Sequence, residues 1–273
     1  MTTVWLNGRL LAAADAHIDI ADRGFLLADG LFETMLAREG AIEHLDAHLA
    51  RLAEGAGLLG IPIPFDARVL GEACTEVVAA NGLDRRPRAS LRLTLTRGPG
   101  PRGVLPLKIP NPTVLITAVE AGPPPAALTV IAAKTVRRDA LSPLSRVKSL
   151  AYTGNILARI EAEVAGADEA LMLNTDGNLA EATGANVFLV EDGAIITPPI
   201  PDGPLPGIAR ATVIDRAMAL GISVREVSVP GGRLRFVTEM FLTSSLIGIC
   251  PVTELDGRPL EVGDVTKRLI EMP

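Results

Sequence analysis

Residues Pro143–Arg159 read P-L-S-R-V-K-S-L-A-Y-T-G-N-I-L-A-R, and Asp168–Val190 read D-E-A-L-M-L-N-T-D-G-N-L-A-E-A-T-G-A-N-V-F-L-V. The first run sets Lys148 just ahead of a stretch in which Ile156, Leu157, Ile160 and Val164 recur at helical spacing, which predicts an amphipathic helix with those four on its apolar side. The second predicts strands over Glu169–Leu173 and Asn186–Val190, with Glu181 beside a Gly-containing turn that leads into the latter. A lysine in a loop or a glutamate before a turn is ordinarily solvated surface. As a pair in this setting they call for a joint chemical reason.

The flanking sequence supplies the elements around them. Val4–Leu11, V-W-L-N-G-R-L-L, holds an Asn-Gly turn between apolar runs, a strong hairpin signal, and T-E-L-D-G-R-P-L near the end holds an Asp-Gly turn. Further strands are expected over Leu31–Arg38, Ala89–Thr96, Thr113–Val119, Leu128–Ala133, Ala194–Thr197 and Ser223–Val227. Helices are expected where Leu45, Leu49, Leu52 and Ala53 recur, over Ala67–Ala80 with Asn81-Gly82 as its stop, and between Gly207 and Gly221. The run E-A-G-P-P-P-A-A lacks apolar periodicity and reads as a linker over 121–128, which divides a small N-terminal domain, 1–120, from a larger C-terminal one, 129–273.

Bulk properties narrow the function classes. A chain of 273 residues, 48% hydrophobic and 21% charged, has a globular balance and room for one or two cores. A net charge of −6 disfavours a nucleic-acid partner. Cys74 and Cys250 stand far apart and match no metal or disulfide framework, which suits core filling in a reducing compartment. With no signal-peptide pattern at the N-terminus and no apolar run of membrane-spanning length, a cytoplasmic protein without a membrane partner is expected.

A lysine amine condenses with an aldehyde cofactor, of which pyridoxal phosphate is the common one; the cofactor's pyridine nitrogen then needs a carboxylate to keep it protonated and electron-withdrawing. Lys148 and Glu181 suit those two roles. The runs V-K-S-L, N-x-L-A-R and D-E-A-L-x-L-x-x-x-G-x-L-x-E-x-x-x-x-N-V-F resemble the class IV aminotransferase superfamily, the fold-type IV pyridoxal-phosphate enzymes. That superfamily includes branched-chain aminotransferases, D-amino-acid transaminases, R-selective amine transaminases and aminodeoxychorismate lyases. The resemblance extends from Leu6 to Leu269. It implies an α+β two-domain fold, with a small α/β domain followed by a larger domain built on a β-barrel-like sheet. It also implies pyridoxal 5'-phosphate on Lys148, Glu181 at the pyridine nitrogen, a small amino substrate and a homodimer.

Gly207, Ile208 and Ala209 open a helix, and a helix start offers backbone N–H donors and a favourable dipole to a phosphate. Leu205–Arg210, L-P-G-I-A-R, resembles the family's phosphate-cup segment, with Ala209 where threonine is common. The missing hydroxyl must then come from elsewhere, with Ser244 and Ser245 in F-L-T-S-S as the replacements. The same resemblance puts Arg51, in H-L-A-R-L, on the phosphate and Leu205 against the ring; Tyr152, or the neighbouring Thr153, falls at the ring oxygen.

On the substrate side, Thr34 in D-G-L-F-E-T matches a threonine of the lyases, and T-R-G-P-G-P-R-G-V resembles their R-G-x-G-x-R-G loop, in which arginine suits bidentate carboxylate binding. The leading expectation is therefore an aminodeoxychorismate lyase, releasing pyruvate and forming 4-aminobenzoate for folate synthesis, with Lys148 and Thr34 handling the proton. The alternative is a D-amino-acid transaminase with Arg102 on the substrate α-carboxylate, although Val104 and Phe32 stand where that subgroup has histidine and tyrosine. A branched-chain or R-selective amine transaminase, or a non-catalytic relative, ranks behind both. Loops near Arg23 and Arg102 are expected to help close a partner's site.

Overall fold

A computed structural model describes residues 2–272 of the chain. They fall into two units, 2–123 with Val147–Ala151, and Pro124–Arg146 with 152–272.

In the first unit the strands are β1 (Thr3–Leu6), β2 (Arg9–Ala12), β3 (Gly30–Arg38), β4 (Ala41–Ile42), β5 (Ala89–Thr96) and β6 (Thr113–Glu120), in the antiparallel order β2-β1-β6-β5-β3-β4. Asn7 and Gly8, at φ 47° and 91°, take the left-handed backbone that a tight two-residue hairpin turn demands. Period-two alternation sends Leu31, Met35, Leu91, Leu93, Leu95 and Ile116 to one face. There they pack against α2 (Leu45–Leu59), through Leu49, Leu52 and Ala56, and against α3 (Ala67–Ala80), through Leu70, Cys74 and Val77. Ala53, expected in the α2 stripe, is exposed, and Ala56 takes its place. Burial pushes the Cys74 thiol up to about 12, in keeping with its part in this core. A five-residue helix, α1 (Arg23–Leu27), lacks a periodicity signal and is started by the Asp22 carboxylate, which accepts from the Gly24 N–H.

The sequence alone assigns Lys148 to the second domain. Instead, the Phe32 N–H donates to the Lys148 carbonyl at 2.9 Å, the Leu150 N–H donates to the Gly30 carbonyl at 2.9 Å, and Leu31 bridges Ser149. This pairing docks Val147–Ala151 on the start of β3, with Val147 in the first core. Gly30 permits the approach, since a Cβ there would meet Leu150 Cδ1 at 2.8 Å and the Leu95 carbonyl oxygen at 2.5 Å.

The second unit has nine strands: β7 (Leu128–Arg138), β8 (Glu169–Asn174), β9 (Leu179–Ala182), β10 (Asn186–Glu191), β11 (Ala194–Thr197), β12 (Val224–Glu226), β13 (Glu239–Ser244), β14 (Gly248–Leu255) and β15 (Arg258–Pro259). Their order is β12-β11-β10-β13-β14-β7-β8-β9, with β15 on β14. Five strand spacings separate β10 from β9, about 24 Å in a flat sheet. Yet Leu179 and Ala182 of β9 share one core with Val187 and Leu189 of β10, so the sheet curls round that core. Helices α4 (Thr153–Val164), α5 (Ile208–Ala219) and α6 (Asp264–Glu271) lie outside it, α5 and α6 packing with Phe188 and Phe241 in a second cluster.

Two local expectations change here. The strand β9 that carries Glu181 is not among the expected elements, while the Gly-containing turn follows Glu181 at Thr183–Ala185 as expected. In α4 the buried residues are Asn155, Ala158 and Ala162, while Ile156, Leu157, Ile160 and Val164 are 55%, 52%, 49% and 85% exposed. Alanines let the helix approach Ala133, Ala170 and Met172 closely, and the Asn155 amide donates to the Thr183 carbonyl at 2.8 Å. Side-chain size, and not hydropathy, selects the packed face.

Candidate active site

Lys148 takes its position from the β3 pairing. Strand alternation puts Val147 in the core and Lys148 on the opposite side, where Phe32 also points. The Lys148 Nζ stands 4.5 Å from the centroid of the Phe32 ring, and the Arg92 guanidinium carbon lies 3.8 Å from the same centroid. Two cations thus stand on one aromatic ring. Thr34 lies two residues along β3 from Phe32, in register with Arg92 of β5, and is half-buried. Arg92 escapes sequence inspection because within A-S-L-R-L-T-L-T it is one polar residue in an alternating strand; the pairing of β5 with β3 gives it significance.

On the helix-covered face, Glu33 alternates with Leu31 and Met35 and so brings a carboxylate into the core. Both Glu33 and His48 are 1% exposed. Arg51 donates through Nε to Glu33 Oε1 at 2.8 Å and through a terminal nitrogen to Oε2 at 2.5 Å, and His48 Nδ1 lies 2.7 Å from Oε2. Burial raises the Glu33 proton affinity, but the bonds from His48 and Arg51 outweigh it and hold the carboxyl below its usual range. Glu33 and His48 hold one another and Arg51, and motif matching misses both. An acid at a core position of a strand is the signal that could have found them.

Arg23, expected near substrate, is committed elsewhere. Its Nε bonds Asp29 at 2.8 Å, and its terminal nitrogens donate to the carbonyls of Gly103 and Val104 at 2.9 and 2.8 Å. It therefore holds the loop on which Arg102 stands exposed. Arg97, the first arginine of the R-G-P-G-P-R-G run, is likewise tied to Asp29 and to the carbonyls of Leu59 and Gly60. Asp29 is pushed up by burial and held low overall by bonds from these two arginines.

In the second unit, β9 presents a nearly buried Glu181. One of its oxygens lies 3.0 Å from Arg138 Nε, and the other accepts the Leu205 N–H at 2.8 Å. Asn186 at the start of β10 donates to the Leu205 carbonyl at 2.9 Å, so Leu205 is gripped on both sides of its backbone. A Cβ on Gly207 would lie 1.9 Å from Asn186 Oδ1, which leaves room only for glycine. With no side chain on Gly207 to cap it, α5 begins at Ile208 and Ala209 with its N–H groups directed outward. The arginine of L-P-G-I-A-R faces away: Arg210 bonds the Pro198 carbonyl at 3.0 Å and Glu226 at 2.5 Å. Ser244 ends β13, its hydroxyl accepting from the Ile247 N–H at 3.4 Å, and Ser245 lies half-buried in the following turn. The Thr243 hydroxyl, passed over in the sequence, is buried without a partner among the described residues, and its register mate is Asn186. Tyr152 is half-buried at the N-cap of α4, whereas Thr153 is exposed. A fixed carboxylate, a helix start shaped around glycine and a spare buried hydroxyl fit a phosphorylated ring with a basic nitrogen.

A family model described as amino-transferase class IV matches residues 30–255. The chain is 38% identical to a putative branched-chain-amino-acid aminotransferase of Methanocaldococcus jannaschii, over 98% of this chain and 94% of that one. It is 31% identical to a D-alanine aminotransferase of Bacillus licheniformis, over 95% and 90%. Among solved structures it is similar to a branched-chain aminotransferase from the thermophilic archaeon Thermoproteus uzoniensis with norvaline, with a TM-score of 0.92, 31% identity and coverage of 99% and 92%. It is also similar to a putative 4-amino-4-deoxychorismate lyase from Legionella pneumophila, with a TM-score of 0.86, 31% identity and 94% of each chain covered.

Proposed function

The chain belongs to the class IV aminotransferase family and has its fold-type IV architecture, and on that premise we propose that it is a transaminase moving an amino group from an amino acid to a 2-oxo acid. Pyridoxal phosphate, the family's cofactor, supplies an electrophilic carbon and an electron sink. The observation that carries this reading is that Arg92 and Lys148 both stand on the Phe32 ring: a guanidinium held by the ring that also supports the reacting amine suits a carboxylate-bearing substrate.

In this proposal the Lys148 amine would hold the cofactor and, when free, would move the substrate's α-proton. Phe32 supports the Lys148 side chain, and the Thr34 hydroxyl stands by on the same strand face. Glu181 accepts from the ring nitrogen, Leu205 packs the ring and Tyr152 meets its oxygen. The N–H groups at Gly207–Ala209, the hydroxyls of Ser244 and Ser245, and Arg51 oriented by Glu33 bind the phosphate. Arg102 serves a second copy of the chain in a homodimer.

The lyase that the loop motif suggested becomes the second reading. The first arginine of that motif is spent on Asp29 and two carbonyls, so the resemblance there reflects loop anchoring as much as substrate binding. Thr34 in register with Arg92, together with the Legionella relative, keeps the lyase in view. Purified protein loaded with pyridoxal phosphate is offered both enantiomers of alanine, leucine and glutamate with a 2-oxo acid, and separately aminodeoxychorismate alone. New amino and oxo acids are expected in the first set. Pyruvate and 4-aminobenzoate from the second, with no transfer in the first, overturn the proposal in favour of the lyase.

A further inference from the structure

Arg138 is the last residue of β7 and is outside every motif discussed above. Its Nε lies 3.0 Å from Glu181 Oε1 and donates to the Gly203 carbonyl at 3.1 Å, while a terminal nitrogen reaches the Ser145 carbonyl at 3.3 Å. Gly203, at φ 97°, brings the chain tight against this side chain, since a Cβ there would meet Arg138 Cγ at 3.3 Å and the Ala140 Cα at 3.1 Å. Two residues on, Leu205 gives its N–H to the other oxygen of Glu181. One guanidinium therefore joins the carboxylate, the turn leading to Leu205 and the backbone of the segment that runs toward Lys148.

We propose that Arg138 is a positioning residue that fixes both the place and the effective charge of Glu181, and through it the electron demand of the cofactor ring. The inference rests on the assignment of Glu181 to the ring nitrogen. A cation in contact with a carboxylate favours its ionised form and draws off part of its negative charge. With Arg138 in place, the ring nitrogen keeps its proton against a carboxylate of moderated basicity, and the ring stays electron-poor. Without Arg138, Glu181 either pulls harder on that proton or loses its alignment. In both cases the ring becomes less positive, and the nitrogen linking Lys148 to the cofactor holds its own proton more firmly. Removing a nearby positive charge acts in the same direction. Further charged groups on the segments flanking Glu181 are Asp202, next to Gly203, Arg210, held by Glu226, and Glu169, bonded to Thr183. None of them changes in the variants below.

The test is the visible-absorption titration of the protein with pyridoxal phosphate bound, together with its affinity for the cofactor, on wild type, Arg138→Gln and Arg138→Lys. Arg138→Gln should raise the titration midpoint of the Lys148 chromophore by about one unit, the lower end of what a neighbouring charge does. Arg138→Lys should return it to within about 0.3 unit of wild type, because the charge is restored. A midpoint unmoved in Arg138→Gln overturns the proposal, as does an equal shift in both variants, which would mark a packing role. If Arg138→Gln does not fold, Arg138→Met is read by the same criteria. Wild-type protein that forms no Lys148-dependent chromophore sinks the cofactor assignment itself, a result distinct from either of these.

Discussion

Glu33 offers a quantitative test of how the first unit presents Arg51. Glu33→Gln keeps the shape and removes the charge, leaving Arg51 and His48 facing an amide that can accept at only one atom. Breaking a buried ion pair by removing one partner costs about 3–5 kcal/mol, and the 12% exposure of the Arg51 side chain lets water recover part of that, so about 2–3 kcal/mol is expected. Trp5, the only tryptophan, is buried in the same core and reports its unfolding. With a urea slope of about 2 kcal/mol per M, the midpoint should fall by roughly 1–1.5 M at neutral pH. The pH dependence follows from the direction of the Glu33 shift. Its folded value lies below the ordinary 4.5, so its contribution is complete above 4.5 and disappears as pH falls through the folded value. Since Gln mimics the protonated acid, the gap between wild type and variant should narrow below pH 4.5 and stay wide at neutrality. A neutral-pH gap under about 0.5 kcal/mol, or one that does not change with pH, would refute the ion-pair account.

Two further outcomes follow from contacts at the other sites. Gly207→Ala should force Asn186 off the Leu205 carbonyl, costing about 1–3 kcal/mol and weakening pyridoxal-phosphate binding at least about tenfold; Asn186→Ala should remove most of that penalty in the double variant, and additive losses would count against the clash. Val104, Leu105 and Ile109 are more than four-fifths exposed on a loop that the buried Arg23 holds in place, a costly surface for a lone protomer. Sedimentation should find a dimer, with Val104→Asp shifting it toward monomer by at least about tenfold in Kd, whereas a monomer at all concentrations in wild type would rule out the homodimer.

Elements whose limits are written in local chemistry were legible in the chain itself. Asn7-Gly8 and Asp256-Gly257 announce their hairpins because few other residues take φ near +50° and +80° in succession. Helix α3 stops where Asn81-Gly82 follows its alanines, and α5 starts where Gly207 yields to Ile208. What stayed hidden depends on which strand lies beside which. The short strand β9 has only four residues, too few for periodicity to separate from the turn after it, so the turn beside Glu181 is legible and the strand is not. The exposed face of α4 was misassigned because hydropathy ranks isoleucine above alanine, although a closely packed helix needs the smaller residue.

The candidate site divides along the same line. Lys148 and Glu181, the proposed cofactor residues, are singled out by motif and chemical need, whereas Arg92, Glu33, Arg138 and Asn186 draw attention only through partners on other elements, such as Thr34, Arg51, Glu181 and Leu205. A residue that touches the ligand must present a particular functional group, and that group narrows the residue types to one or two. A residue that orients the first can be any donor or acceptor that reaches, so its identity carries little local information. The substrate-side ambiguity has the same origin. An arginine in R-G-P-G-P-R-G can serve a carboxylate substrate or a half-buried aspartate equally well, and only the position of Asp29 shows that Arg97 does the latter. The choice between transaminase and lyase therefore turns on the Arg92, Thr34 and Phe32 face, where substitution should alter which substrate reacts without disturbing how the phosphate is held.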